Sequence, residues 1–110
     1  MQTIFMPTDR IRQLENFFEE DPRDPFNAYA LALEYLKFDA TKSRLLFETL
    51  LRDHPHYLPT YYHAAKFFGE SGEKEKAIRI FEDGIRLAKE LNDIKARREL
   101  QSAYDEFMFE

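Results

Sequence analysis

With no cysteine among 110 residues, the side chains able to act as nucleophiles are Ser43, Ser71 and Ser102, the threonines and the lysines. Acyl transfer needs such a group activated by a neighbouring base, commonly on a sharp strand-to-helix turn. None of the three serines sits in a Gly-x-Ser-x-Gly elbow, and Gly69 and Gly72 flank an ordinary turn rather than a phosphate-cradling loop. Paired carboxylates occur at Glu19-Glu20-Asp21 and Glu82-Asp83. Both pairs fall in helical patterns, where they read as solvated faces. His54-Pro55-His56 places two imidazoles two residues apart without a fixed third ligand, so it reads as a loop rather than a metal site. The cations Arg86, Lys89, Lys95, Arg97 and Arg98 are interleaved with Glu90, Asp93 and Glu99, the pattern of a salt-bridged surface rather than a nucleic-acid stripe. The residues therefore lead to no enzyme, no cofactor and no metal.

Charge and composition narrow the partner classes. Sixteen basic residues stand against 21 acidic ones, for a net charge of −5. The charges are evenly spread, with 7 basic and 10 acidic groups in residues 1–55 and 9 and 11 in residues 56–110. Phosphate binding needs clustered positive charge, so nucleic acid is not the expected partner. A hydrophobic share of 44% is enough to build a core, and the length fits a single domain, 1–110. No apolar run approaches the roughly 20 residues of a membrane helix, and the first ten residues lack the pattern of a signal peptide. The absence of cysteine suits a reducing cytoplasm, the expected location.

Helices must position whatever surface the chain uses. Strand alternation is nearly absent, whereas apolar residues recur at helical spacing in six segments. These run through Ile11, Leu14 and Phe18; Tyr29, Ala32, Leu33 and Leu36, after Phe26; Ser43, Phe47 and Leu50; Tyr61, Ala64, Ala65 and Phe68; Ala77, Phe81 and Gly84; and Ala96, Leu100, Ala103 and Phe107. Pro22 and Pro25 break the first from the second, and His54-Pro55 closes the third. Pro59 suits the first turn of the fourth, and Asn92 or Asp93 the N-cap of the last. Short links between helices favour antiparallel neighbours.

The segments repeat. Tyr29-Ala30-Leu31-Ala32-Leu33 aligns with Tyr61-Tyr62-His63-Ala64-Ala65 at an offset of 32, and Ser43, Phe47 and Leu50 align with Ala77, Phe81 and Gly84 at an offset of 34. At these residues the chain resembles the tetratricopeptide repeat (TPR) family, whose helix A carries spaced aromatic and small residues and whose helix B carries a small-large-small stripe and a closing proline. The second repeat, 58–91, supplies Tyr61, Ala64, Ala65, Phe68, Ala77, Phe81 and Gly84 but has Lys89 where the proline would stand, so its helix B is expected to run on to about Leu91. The first repeat, 26–55, supplies Tyr29, Ala32, Leu33, Leu36, Ser43, Phe47, Leu50 and Pro55. Residues 8–21 resemble a lone helix B, with Arg10, Leu14, Phe17 and Pro22 in the corresponding places, and 92–108 a lone helix A or capping helix. The chain is similar to small stand-alone bacterial TPR proteins. The fold so implied is all-α, a right-handed stack of about six antiparallel helices.

The resemblance implies a concave groove lined by A helices that holds a peptide or helix of a partner protein. Carried onto this sequence, the groove positions are Asn27, Ala30, Leu31, Glu34 and Lys37 in the first repeat, Pro59, Tyr62, His63, Lys66 and Gly69 in the second, and Arg97 in the last helix. The seven expected to carry binding are Asn27, Leu31, Glu34, Tyr62, His63, Lys66 and Arg97. Tyr62 stands out, because Tyr61 already supplies the core aromatic; it either serves the groove or packs under Arg97 or a neighbouring helix. Ala30, Glu34 and His63 stand where a carboxylate clamp would need lysine or asparagine, which argues against that ligand class. The resulting expectation is a non-enzymatic, protein-binding adaptor. The alternative is a self-associating, homodimeric module, since Ile4-Phe5-Met6 and Phe107-Met108-Phe109 are apolar and would either cover the terminal helices or meet a second copy. RNA binding is a third and weaker reading.

Overall fold

The computed structural model describes residues 7–109; Ile4, Phe5 and Met6 lie outside the described residues, as does Glu110. Six α-helices and no strand are present among them: α1 (Pro7–Glu20), α2 (Pro25–Tyr35), α3 (Ala40–Asp53), α4 (Pro59–Glu70), α5 (Lys74–Glu90) and α6 (Ile94–Met108). They fall into two compact units, Met1–His54 and Pro55–Glu110.

Local chemistry sets the helix ends. Asp24, Asp39 and Asp93 each accept a backbone N–H of the helix that follows, from Phe26, Lys42 and Ala96, so each caps a first turn whose donors have no intrahelical partner. Pro25 and Pro59 stand at first helical positions, where a missing N–H costs nothing. Gly72 closes α4 in the left-handed region at φ 83°, and Asn92 plays the same part after α5 at φ 56°. Of the two cap candidates, Asp93 is therefore the N-cap of α6, and Asn92 ends α5. Without a proline at Lys89, α5 does continue through Glu90, with Leu91 at its C-cap.

In the first unit α2 lies between α1 and α3. Leu14, Leu31 and Tyr35 form one buried cluster, against which Ile11, Phe18, Ala30 and Leu46 pack. On the other side Ser43, Phe47 and Leu50 of α3 are buried, and the Ser43 hydroxyl donates to the Ala32 carbonyl at 2.7 Å. That bond lets a serine occupy a position that close helix packing restricts to small residues. The spacing of α2 put Leu36 and Phe26 on its buried face with Ala32; Ala32 is buried there, but Leu36 and Phe26 are exposed, and Ala28, Leu31 and Tyr35 are buried instead. Apolar residues surround nearly the whole circumference of α2, so periodicity selects no face. The contacts with α1 and α3 do. Tyr35 also donates its hydroxyl to Glu15 of α1, and burial followed by this carboxylate raises its pKa.

In the second unit α5 runs antiparallel to both α4 and α6. An added Cβ at Gly84 would lie 2.7 Å from Tyr61 Cβ and 3.2 Å from Leu100 Cδ1, so three helices meet at this one glycine. Gly69 of α4 touches the ring of Phe107 in α6. These two levels fix α4 and α6 as parallel. Phe68 and Phe81 are fully buried, and the Phe81 ring lies 5.8 Å from the centroids of both Tyr104 and Phe107. Each such ring contributes about 1.5–3 kcal/mol of burial. Tyr61 donates its hydroxyl to the Pro55 carbonyl at 2.5 Å, tying the entry of α4 to its first turn.

Candidate functional site

The seven residues expected to form a binding surface lie in three places: Asn27, Leu31 and Glu34 on α2, Tyr62, His63 and Lys66 on α4, and Arg97 on α6. In the first unit all three are engaged. Asn27 donates its amide to the carbonyls of Phe17 and Asp21, at 3.2 and 3.1 Å, and so satisfies the end of α1. Leu31, expected in the groove, is instead 3% exposed within the core cluster, because α1 packs on that side of α2. Glu34 pairs with Arg10 at 3.4 Å and with Lys37 at 3.5 Å, and its side chain is 12% exposed.

In the second unit the structure brings Tyr62, His63 and Lys66 together on α4. Lys66 Nζ sits 5.2 Å from the Tyr62 ring centroid, within range of the ring quadrupole. The His63 ring meets the Tyr62 ring edge-on, at 5.2 Å between centroids and 84° between planes. Burial, and then the neighbouring Lys66, hold the His63 pKa below its ordinary value of 6.5. The imidazole is therefore neutral at pH 7, and Lys66 carries the positive charge of the cluster. Tyr62, Lys66 and Gly69 follow the i, i+4, i+7 spacing of one helical stripe. Phe107 of α6 bounds the stripe at Gly69. Gly69 was itself expected to face a ligand; here it gives the Phe107 ring room.

Arg97 is exposed on α6. It shares a stripe with Gln101 and Tyr104, at i+4 and i+7. These two line a shallow hollow of about 300 Å³ with Glu82, Ile85, Arg86 and Lys89 of α5, across which Tyr104 donates to Glu82 at 3.1 Å. Arg97 thus belongs to the α5 side of α6, not to the Tyr62 cluster. The pairing of Lys66 with Tyr62 was legible as an i, i+4 spacing that the sequence reading left unused.

The groups considered for chemistry have structural surroundings. Ser43 bonds to Ala32. Ser71 and Lys74 share the Ser-x-x-Lys spacing, which sequence reasoning overlooked, but Ser71 caps α4 and donates to the Phe67 carbonyl at 2.8 Å, whereas Lys74 opens α5. His54 caps α3 through its backbone N–H. Among the described residues no three His, Cys, Asp or Glu are placed to hold a metal ion. No helix among them is long and apolar enough to cross a membrane.

Neither a protein-family model nor a curated protein matches the chain. Solved structures do. A tetratricopeptide repeat domain protein from Salinibacter ruber matches in its crystal form at 40% identity and a TM-score of 0.73, over 77% of this chain and 96% of that one. A solution structure of a tetratricopeptide repeat domain protein from the same organism matches at 41% identity and 0.74, over 79% and 89%. The crystal structure of MamA shares the fold at 19% identity and a TM-score of 0.63, over 93% of this chain and 67% of that one. Helices alternating at the same interval, small residues at their crossings and this likeness together show that the chain belongs to the tetratricopeptide repeat family.

Proposed function

We propose that the protein is a non-enzymatic adaptor that binds a segment of a partner protein along the outward stripe of α4. The observation that carries this reading is the Tyr62–His63–Lys66 cluster. It sets an aromatic face, a neutral imidazole and a positive charge side by side on a rigid helix. Such a cluster has the composition of an interface hot spot, where an aromatic anchor sits beside a cation. It fits a peptide or helix that presents a carboxylate next to an apolar side chain. Asn27, Leu31 and Glu34 are spent inside the first unit, so the surface is narrower than the one the family resemblance implies. Protein rather than nucleic acid is supported by the pairing of Arg10, Lys37, Arg44, Arg52 and Arg86 with carboxylates. The cytoplasm is the compartment proposed for this activity.

Affinity capture from a native extract tests the reading. Wild type is compared with a Tyr62→Ala, His63→Ala, Lys66→Ala variant whose helical circular dichroism is unchanged. A protein held by wild type and lost by the variant is the expected result. Equal recovery by both baits would remove the α4 stripe from the account.

A further inference from the structure

The hollow between α5 and α6 changes character along its length. The Tyr104–Glu82 bond and the approach of Leu100 to Gly84 set the register of this antiparallel pair. Stepping from Tyr104 to Gln101 to Arg97 on α6 therefore matches stepping from Glu82 to Ile85 to Lys89 on α5. At one end Glu82 accepts from Tyr104 through a single carboxylate oxygen, and the anion stays at the surface. In the middle Ile85, 8% exposed, and the half-buried Tyr104 give an apolar floor. At the end nearest the α5–α6 turn the exposed Lys89 and Arg97 stand level with each other.

Neither cation takes part in an ion pair among the described residues. The acidic residues around them are placed elsewhere. Asp93 accepts the Ala96 N–H that it caps, Asp83 pairs with Arg86, and Asp105 accepts from Gln101. Glu90 stands one position outward from Lys89, level with the equally exposed Arg98. Glu99 and Lys95 lie on the far flank of α6, a pair of opposite sign. The hollow is thus positive at the turn end, apolar in the middle and negative at the other end.

This order selects the occupant. A polynucleotide is negative at every step and would meet Glu82 and Asp105. A protein segment with charges of both signs finds an opposite charge at each end. Lys89 and Glu82 are seven helical residues apart, about 10.5 Å along the axis. An extended strand covers that in about three residues, which turns its two charges to opposite faces. A helix covers it from i to i+7 on one face, with i+4 at the middle.

We infer that this hollow docks an amphipathic helix of a partner protein, parallel to α6, with an acidic residue at i, an apolar one at i+4 and a basic one at i+7. The acid meets Lys89 and Arg97, the apolar side chain covers Ile85 beside Tyr104, and the base meets Glu82. The α4 cluster takes no part, so this surface stands independently of the one proposed above.

Chemical-shift mapping on the full nitrogen-15-labelled chain tests the inference. The probe is a synthetic helical peptide with Glu, Leu and Lys at i, i+4 and i+7 in a neutral alanine and glutamine background. It should shift the amides of residues 82–89 and 97–104 and few others. Lys89→Glu with Arg97→Glu should weaken its binding by about tenfold or more, and should create binding to the peptide with Lys at both i and i+7. Both positions are exposed, and circular dichroism verifies that the reversed chain stays helical. The Tyr62→Ala, His63→Ala, Lys66→Ala variant should bind the probe as wild type does. No shift at these residues, undiminished binding by the charge-reversed chain, or equal shifts from a single-stranded oligonucleotide would each overturn the inference. So would the same shifts on concentrating the chain alone, which would give the hollow to a second copy.

Discussion

Two helical glycines offer the sharpest test of how the second unit is packed, because the same substitution should act in opposite directions. Replacing a helix-interior glycine by alanine gains about 1 kcal/mol of helix propensity. At Gly69 the new methyl would approach Phe107 Cε1 to 2.8 Å, but that atom is the far end of a ring near the close of α6, which can swing aside. At Gly84 the methyl would lie 2.7 Å from Tyr61 Cβ, an atom that moves only with the α4 backbone, and 3.1 Å from Cγ, while Leu100 closes the third side. Overpacking of this kind costs about 1–3 kcal/mol, more than the propensity gain. Gly69→Ala should therefore be neutral or stabilising by up to about 1 kcal/mol, and Gly84→Ala destabilising by up to about 2 kcal/mol. Urea titrations followed at 222 nm read the difference, and thermal melts should separate the variants at roughly 4 °C per kcal/mol. If Gly84→Ala proved as stable as Gly69→Ala, three helices would not meet at Gly84.

Other outcomes follow from the same contacts. Phe81→Ala removes a ring packed against Tyr104 and Phe107 and should cost about 3–5 kcal/mol, leaving little folded second unit at 37 °C; a melt within a few degrees of wild type would refute that packing. Asn27→Ala loses two side-chain bonds to the carbonyls of Phe17 and Asp21 and should cost about 1–2 kcal/mol while leaving partner capture intact, measured by denaturation beside the capture assay. Folding holds the His63 pKa below 6.5, so the unfolded chain binds the proton more readily, and the stability this residue adds is present above pH 6.5 and falls as pH drops below it. A His63→Asn variant should lose less stability than wild type between pH 7.5 and 5.5, as read by denaturant titration at each pH.

How much of this was legible in the sequence depends on how one-sided each helix is. The stripes Ser43-Phe47-Leu50 and Ala77-Phe81-Gly84 alternate with charged residues, and the structure buries all six. A cap at Asn92 or Asp93, Pro59 in the first turn of α4 and the continuation of α5 past Lys89 were equally readable, since each depends on bonds within a few residues. The face of α2 was not. Tyr35 rather than Leu36 turns inward because α1 and α3 cover α2 from two sides, a matter of tertiary contact. The surroundings of the expected binding positions in the first unit were hidden for the same reason. Position in the repeat brings Leu31 to a groove, but the partner helix that covers it here is α1, and only the contacts reveal that Asn27 and Glu34 are satisfied within their own unit. Tyr62, His63 and Lys66 held together because a single helix carries all three. Of the apolar residues that close the chain, Phe107 lies against Gly69 and Phe81, whereas Phe109 beyond it is 92% exposed.

The central claim is that the α4 stripe receives a partner protein. Benzoylphenylalanine in place of Tyr62 keeps an aromatic ring in the cluster and cross-links whatever touches it under light; the same group in place of the exposed Arg79 of α5 serves as the control. Irradiation in a native extract should give a discrete adduct with a second protein from position 62 and none from position 79. Identical adducts from both positions, or none from position 62, would contradict the account.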